Sequence, residues 1–213
     1  TGEFFTRKVS FLARLGSGSA CRSIEGKLVA WGEHKNIPGS SDLYGVKYPH
    51  AVHENFRNYQ DTILLVDKGE KQVSSTLGHD LMNGHPFAER RFQQAPENLD
   101  LLKEIFEKGD LSAFIKIVES EALTLHAMMM TSQPYFLLMK PNTLEIINKV
   151  FDFRERTGLH LCFTLDAGAN VHLLYPENEK NETLDFIKSD LLQFCQNGQY
   201  IADNVGQGAK QLS

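Results

Sequence analysis

The sequence predicts an α+β sandwich in which strands and helices occur in separate blocks. Residues 62–66, 159–165 and 171–175 have the apolar and β-branched character of strands. Apolar residues have helical spacing between the first two of these strands and again after the third, which predicts helices there. Such blocks favour an α+β sandwich over a doubly wound sheet. The 213 residues are enough for one large or two small cores.

The composition excludes several classes of protein. The chain has 22 Lys and Arg against 27 Asp and Glu, so an acidic balance argues against nucleic acid as its main partner. No apolar run approaches the ~18 residues of a membrane span. Cys21, Cys162 and Cys195 form no CxxC pair, so no zinc or redox site is predicted and a reducing cytoplasm fits best.

The first 58 residues combine one clear helix with irregular chain. Phe5, Val9 and Leu12 have helical spacing, and the helix is expected to break at 16–20 before a short helix and a strand at 28–31. From Gly32 to Asn58 the chain is rich in Gly, Pro, Ser, His and Tyr, which predicts an irregular connection over a surface or a ligand.

Caps and glycines define the later helices. Helices are predicted near 87–94, at 98–108, from 111 to about 125, at 142–158 and at 182–196. Gly109 ends one helix and Asp110 caps the next, while Asn142 and Glu145 have N-cap to N3 spacing. A hairpin turn over 166–170 joins two strands. The chain after Ile201 is polar and is expected to be loose.

A Gly- and Ser-rich segment, Ala13–Ser23, is the sharpest candidate for binding. Small residues let a ligand approach the backbone, and helix-start amides, Ser hydroxyls and Arg22 would attract an anion such as a phosphate. An ordinary Gly/Ser turn with a surface arginine is the alternative. The segment lacks the ending of a P-loop and the frame of a nucleophile elbow.

Asp166 stands at the end of an apolar strand, in the segment Thr164–Asn170. It is either a turn residue that accepts neighbouring N–H groups or a rigidly held carboxylate facing a cleft. A nearby cation would keep it ionised, and Arg22 is a candidate for that cation.

Three other segments have weaker signals. Residues 73–78 form a hydroxyl-rich turn that either caps a helix or binds phosphate. His79 and His85 lack the i, i+4 spacing of a helical metal pair, so no metal site is predicted. His126, before three methionines, is expected to pack in the core.

Five segments occur in order along the chain: Ala13–Ser23, Trp31, Val73–Thr76, His126-Ala127 and Asp166-Ala167-Gly168-x-Asn170. Together they closely resemble the mevalonate diphosphate decarboxylases of the GHMP kinase superfamily. The resemblance implies a two-lobed GHMP-kinase-type sandwich. It places the end of the N-terminal lobe (ribosomal protein S5 domain 2-like) at 1–57, a ferredoxin-like C-terminal lobe at 58–198 and a polar tail at 199–213.

The resemblance implies an ATP-dependent decarboxylase of the mevalonate isoprenoid pathway. With ATP and Mg²⁺, the family phosphorylates the 3-hydroxyl of mevalonate 5-diphosphate and then eliminates phosphate and CO₂ to give isopentenyl diphosphate. By position, Asp166 matches the catalytic aspartate that engages the hydroxyl proton. Arg22 matches the arginine that binds the substrate carboxylate and helps to orient that aspartate.

The same resemblance implies a phosphate-binding loop. Ser17 and Ser19, with Gly18 between them, match the segment that holds the substrate phosphates, and Ser75 matches a further serine of the phosphate-bearing site. The expected ligands are therefore mevalonate 5-diphosphate and ATP, with neither nucleic acid nor membrane. Dimerisation through the C-terminal lobe is common in such enzymes, so a homodimer is an open expectation.

Departures from the family pattern leave the substrate open. Ala169 replaces the usual proline of the Asp-Ala-Gly segment, and the doubled proline expected after His126 is reduced to Pro134. A mevalonate monophosphate decarboxylase or a catalytically silent binding domain are the alternatives. The family's upstream ATP loop has no counterpart in these 213 residues, so the chain alone is expected not to turn over.

Overall fold

The computed structural model describes residues 2–69, 78 and 80–209, and the chain divides into two compact units. Thr1–Val52 and Val205–Ser213 form the first unit, and His53–Asn204 form the second. These limits differ by a few residues from the sequence-based boundaries after residues 57 and 198. The C-terminal segment belongs to the first unit, which no sequence pattern indicates.

The first unit contains one long helix and a short hairpin-like strand pair. Helix α1 spans Glu3–Gly16, a 3₁₀ helix spans Gly18–Ser23, and strand β1, Val29–Ala30, pairs antiparallel with β2, Val46–Lys47. The predicted order of helix, break, short helix and strand is confirmed, although β1 is shorter than predicted.

A buried serine ties this unit together. The Ser10 hydroxyl donates to the carbonyl oxygen of Cys21 at 2.8 Å and accepts from the amide of Gly45 at 2.9 Å. Ser10 is fully buried, so both of its hydrogen bonds form away from water. The serine therefore fixes the 3₁₀ helix and the start of β2 against α1.

The tail of the chain packs against the turn that follows the 3₁₀ helix. The Lys27 amide donates to the Gly206 carbonyl at 2.8 Å, and the Ala209 amide donates to the Ile24 carbonyl at 3.2 Å. A Cβ on Gly26 would lie only 2.1 Å from the carbonyl carbon of Gln207, so this close crossing requires glycine. The expectation of a loose tail is wrong for residues 205–209.

The second unit is built on a four-stranded antiparallel sheet. Its strands are β3, Gln60–Leu64; β4, Cys162–Leu165; β5, Val171–Tyr175; and β6, Tyr200–Asn204, in the order β4-β5-β3-β6. This is the ferredoxin-like arrangement, and it confirms the α+β class and the hairpin between β4 and β5.

Strand β6 corrects the prediction of a polar tail at 199–213. Tyr200 to Asn204 pair with all five residues of β3. The strand lies at the sheet edge and four of its five residues are exposed, so it lacks the apolar alternation by which strands are recognised. The polar sequence of this fourth strand therefore gave no strand signal.

Within the described residues, four α-helices of the second unit lie between these strands, three between β3 and β4 and one between β5 and β6. Their bounds are α2, Ala88–Lys108; α3, Leu111–Thr131; α4, Pro141–Thr157; and α5, Lys180–Phe186. The predicted helix at 182–196 is α5 continued by a π-helix, Ile187–Leu191, and a 3₁₀ turn, Leu192–Phe194. One core cluster joins the sheet to α3, α4 and this last segment; its fully buried members include Leu64, Ile146, Val150, Leu161, Phe163, Val171, Leu173, Ile187 and Leu191.

Helix boundaries agree with the sequence at α3 and differ at α4. The Asp110 carboxylate accepts the Ala113 amide at 2.9 Å, which confirms it as the cap of α3. Helix α4 begins at Pro141, and the Lys140 amide donates to the Thr143 hydroxyl at 3.1 Å. The predicted Asn142 cap is wrong, because the helix begins one residue before Asn142. The side-chain amide of Asn142 donates to the Phe194 carbonyl.

No helix within the described residues is long and apolar enough to cross a membrane.

Candidate active site

A basic cavity of about 580 Å³ opens beside the 3₁₀ helix of the first unit. It is lined by Ser19, Ala20, Arg22, Ser23, Lys27, Leu28 and Val29. Two cations and two hydroxyls thus face a single space, with no acidic residue in its lining. Such a donor set suits a multiply charged anion.

The local fold presents these side chains because the helix turns abruptly at Ser17. Its extended backbone (φ −154°) ends α1, and its amide still donates to the Ala13 carbonyl at 3.0 Å. In the 3₁₀ helix that follows, Cys21 is fully buried whereas Arg22 is exposed. Gly18 packs against the indole of Trp31, since a Cβ there would lie 3.1 Å from the ring.

The structure brings part of the predicted binding segment to this cavity. Ser19 and Arg22 line it, whereas Ser17 and Gly18 precede it and make the turn. Ser75 lies outside the described residues. Ser23, the last residue of the predicted segment Ala13–Ser23, also lines the cavity. Sequence reasoning missed Lys27, which follows that segment by four residues.

Asp166 lies in the second unit, at the first position of the turn between β4 and β5. The turn is held from several directions. His126 Nε2 lies 3.2 Å from the Asp166 carbonyl oxygen, the Thr143 hydroxyl donates to the Ala169 carbonyl at 2.7 Å, and Asn170 accepts the Asp67 amide at 3.0 Å. The carboxylate therefore projects from a fixed backbone.

Asp166 is exposed, and a Cβ built on Gly168 would meet no atom within 4 Å. Arg22 belongs to the first unit and Asp166 to the second. On its own, Asp166 is a rigidly supported, accessible carboxylate, which is the form that a proton acceptor or an electrostatic stabiliser needs.

His126 supports the turn from α3 and is almost completely buried, as predicted. Burial lowers the pKa of His126 below its ordinary value, although its bond to the Asp166 carbonyl and the nearby Asp166 charge oppose this. The neutral ring is thus favoured. Because a carbonyl can only accept, Nε2 is the nitrogen that donates.

The remaining histidine and cysteine candidates have structural environments. His85 is buried and lies 3.1 Å from both the Met128 carbonyl and the Thr131 hydroxyl, while His79 is outside the described residues. The three cysteines are buried and unpaired. Burial raises the pKa of the Cys195 thiol to about 11, which disfavours a reactive thiolate.

The described part of the chain contains no group of three His, Cys, Asp or Glu side chains placed to hold a metal ion.

Two family models match two successive parts of the chain. Residues 62–211 match the mevalonate 5-diphosphate decarboxylase C-terminal domain, and residues 3–43 match the diphosphomevalonate decarboxylase-like N-terminal domain. The chain belongs to the mevalonate 5-diphosphate decarboxylase family. The first match covers β4, β5, β6 and all of β3 except Gln60 and Asp61, and the second covers α1 and all of the cavity lining.

Individual members of the mevalonate 5-diphosphate decarboxylase family agree with this assignment. The diphosphomevalonate decarboxylase of Aspergillus fumigatus is 30% identical over 187 residues, which are 86% of this chain and 46% of that protein. The chain thus spans about half the length of such relatives.

Solved structures match the fold. The mevalonate diphosphate decarboxylase of Staphylococcus aureus has a TM-score of 0.78 and 28% identity, over 95% of this chain and 59% of that one. A structure described as MDDEF in complex with MVAPP, AMPPCP and magnesium has a TM-score of 0.79 and 26% identity, over 95% of this chain and 59% of that one.

Proposed function

We propose that this chain serves the ATP-dependent decarboxylation of mevalonate 5-diphosphate to isopentenyl diphosphate, through phosphorylation of the 3-hydroxyl. The observation that carries the proposal is the rigidly anchored, accessible Asp166 in a chain that belongs to this family and also has a basic cavity. One carboxylate for a hydroxyl and one cationic cavity for an anion are what the reaction requires.

The basic cavity is proposed to hold the anionic substrate. The Arg22 guanidinium offers a planar fork of donors that matches a carboxylate, and the Ser19 hydroxyl can donate to phosphate oxygens. Ser17 and Gly18 would support this contact by shaping the turn, and Ser75 is proposed as a further phosphate donor. The net charge of −5 means that this local cluster, and not the overall field, must attract the substrate.

Asp166 is proposed to engage the proton of the 3-hydroxyl during phosphoryl transfer. Positioning and charge neutralisation dominate such transfers, so a carboxylate on a fixed turn is well suited to orient the hydroxyl. Departure of the 3-phosphate would leave positive character at C3, and the same fixed carboxylate can stabilise it. Loss of CO₂ then supplies the electron pair of the new double bond.

ATP with magnesium is proposed as the phosphoryl donor. A related structure is described as a complex with AMPPCP and magnesium, and magnesium bound to nucleotide phosphates needs few protein ligands. We assign no described residue to the nucleotide. We place the reaction in the cytoplasm, because three buried free thiols suit a reducing compartment. The homodimer stays a prediction.

The proposal is tested with mevalonate 5-diphosphate, ATP and Mg²⁺, with release of phosphate and CO₂ as the readout. The assay uses both Thr1–Ser213 and the full polypeptide encoded by the gene. Asp166→Asn should abolish both releases while substrate binding, measured by calorimetry, is largely retained. A loss of about 10³-fold or more is expected for a group that acts in the transition state.

Asp152→Asn is the matched control, because this carboxylate lies on the exposed part of α4, and it should leave turnover unchanged. Mevalonate 5-phosphate is the control substrate, and faster turnover of it would favour the monophosphate alternative. Near-normal release by Asp166→Asn would reject the assignment of Asp166.

A further inference from the structure

His172 lies on the face of the sheet opposite the main core of the second unit. Its neighbours on β5, Val171 and Leu173, are fully buried in that core, and successive side chains of a strand point to opposite faces. The imidazole is therefore directed away from the core, and its side chain is 28% exposed. The roles proposed above leave this half-buried titratable group without a function.

Asp61 of β3 reaches this imidazole across the sheet. The register pairs Ile63 with His172 and Asp61 with Leu174, so Asp61 is the diagonal neighbour of His172 on the same face. The Nδ1 atom lies 3.0 Å from one carboxylate oxygen and 3.1 Å from the other. This hydrogen bond raises the pKa of His172 above its ordinary value, against the opposing effect of burial.

Asp166 comes directly after β4, the strand that pairs with the strand of this imidazole. Thr164 stands directly opposite His172 in the β4-β5 register, and Asp166 follows two residues later, which is the period of one sheet face. The Asp166 charge also raises the pKa of His172. Within the described residues, Asp61 and Asp166 are the charged groups that act on this ring, although Asp203 of β6 stands opposite Asp61.

We infer that His172, which is hydrogen-bonded to Asp61 on the same face of the sheet, is a positioning residue for the Asp166 carboxylate. The inference rests on the proposed function for the role of Asp166, whereas the coupling of the two charges follows from the sheet itself. Coupling is reciprocal: if the carboxylate favours the imidazolium, the imidazolium favours the ionised carboxylate equally. A protonated ring also attracts that carboxylate.

The first test follows the titration of His172 by NMR of the histidine rings in the Thr1–Ser213 chain. Asp166→Asn should lower the midpoint of His172 by about 0.5 pH unit, the size expected for one charge several ångströms away. Asp61→Asn should lower it further, because it removes a direct hydrogen bond. Asp203→Asn is the matched control and should leave the His172 midpoint unchanged.

The second test measures the reciprocal effect on Asp166 from the ¹³C shift of its carboxylate. His172→Gln keeps a polar side chain without the charge and should raise the Asp166 midpoint. His172→Lys restores a cation and should return the midpoint toward its original value. A merely structural histidine would not give this rescue, because lysine reproduces the charge and not the shape of imidazole.

The inference is overturned if the His172 midpoint is the same in Asp166→Asn and Asp203→Asn. It is also overturned if the Asp166 midpoint is the same in His172→Gln and His172→Lys. If His172→Gln fails to fold, the first test still decides, because Asp166 is exposed. Both tests read ionisation without ATP or turnover. Absence of turnover by the full polypeptide would contradict the proposed function and leave the coupling intact. Unmoved midpoints would contradict the coupling and leave the proposed function intact.

Discussion

Lys27 has a left-handed backbone (φ +53°) that an L-residue adopts at a cost. Lys27→Gly should therefore raise the free energy of unfolding by about 0.5–1 kcal/mol, after allowance for the greater freedom of glycine in the unfolded chain. Urea denaturation measures this gain. The same variant should weaken binding of mevalonate 5-diphosphate, because it removes a cation from the basic cavity.

Lys47→Gly provides the control for this residue-scale prediction. Lys47 is an exposed position of β2 with no positive φ, so glycine there should destabilise the protein. Equal destabilisation by both variants would show that the backbone of Lys27 is not strained.

His126 should make stability depend on pH. Burial lowers the pKa of His126 in the folded chain, whereas in the unfolded chain it titrates near 6.5. The unfolded state then binds more protons, so stability is full above pH 6.5 and falls as the pH drops through the window below it. Urea midpoints at pH 7.5 and 5.5 should show a smaller fall for His126→Gln than for the unchanged chain. An equal fall in both would mean that His126 does not titrate.

Sequence reasoning identified the residues whose chemistry is local and missed those that depend on register. Asp166 is recognisable because a strand and a turn flank it, and Arg22 because small residues surround it. The partner of His172 is Asp61, 111 residues away, and their contact depends on how β3 pairs with β5. No local pattern contains that information.

At the scale of elements, an ion pair between the buried Glu119 of α3 and the partly buried Arg154 of α4 joins the two helices. The Arg154 guanidinium donates to both Glu119 carboxylate oxygens, at 2.6 and 3.1 Å, and to the Leu161 carbonyl at 2.9 Å. Arg154→Met leaves the carboxylate buried without its cation and should cost about 3 kcal/mol of stability. Adding Glu119→Leu should recover most of that loss, because both charges are then gone. Thermal unfolding of the three proteins measures the difference.

The exposed Arg90–Glu97 pair is the control for this element-scale prediction. Arg90→Met should leave the unfolding midpoint essentially unchanged, since water screens exposed pairs. If the double variant were no more stable than Arg154→Met alone, the loss would come from packing rather than from the unpaired carboxylate.

Helices were predictable wherever one signal dominated. The end of α2 and the start of α3 were both predictable. Gly109 ends α2 with a positive φ that suits glycine, and the Asp110 carboxylate caps α3. The separate helices predicted near 87–94 and at 98–108 are wrong, because α2 is one helix from Ala88 to Lys108 that continues through Pro96. Tertiary packing can override a local penalty of about 3 kcal/mol at proline, and the sequence alone does not show when it does.

At the scale of the whole molecule, the last residues complete two different units. Tyr200–Asn204 form the edge strand of the second unit, and residues 205–209 pack on the Gly26 turn of the first. The fold class needs that fourth strand, but its polar sequence predicted a tail. The two segments should therefore have separable effects on stability.

Two truncated chains test this division. A chain that ends at Gln199 loses β6, so β3 becomes a sheet edge and the second unit should lose on the order of 3 kcal/mol of stability through its unpaired backbone groups. Amide hydrogen exchange in β3 should accelerate. A chain that ends at Asn204 keeps every β3–β6 pair, and its β3 amides should stay protected while those of Lys27 and the Gly26 turn exchange faster. Equal protection of β3 in the two truncated chains would contradict the assignment of β6 as a structural strand, because only the shorter chain removes it.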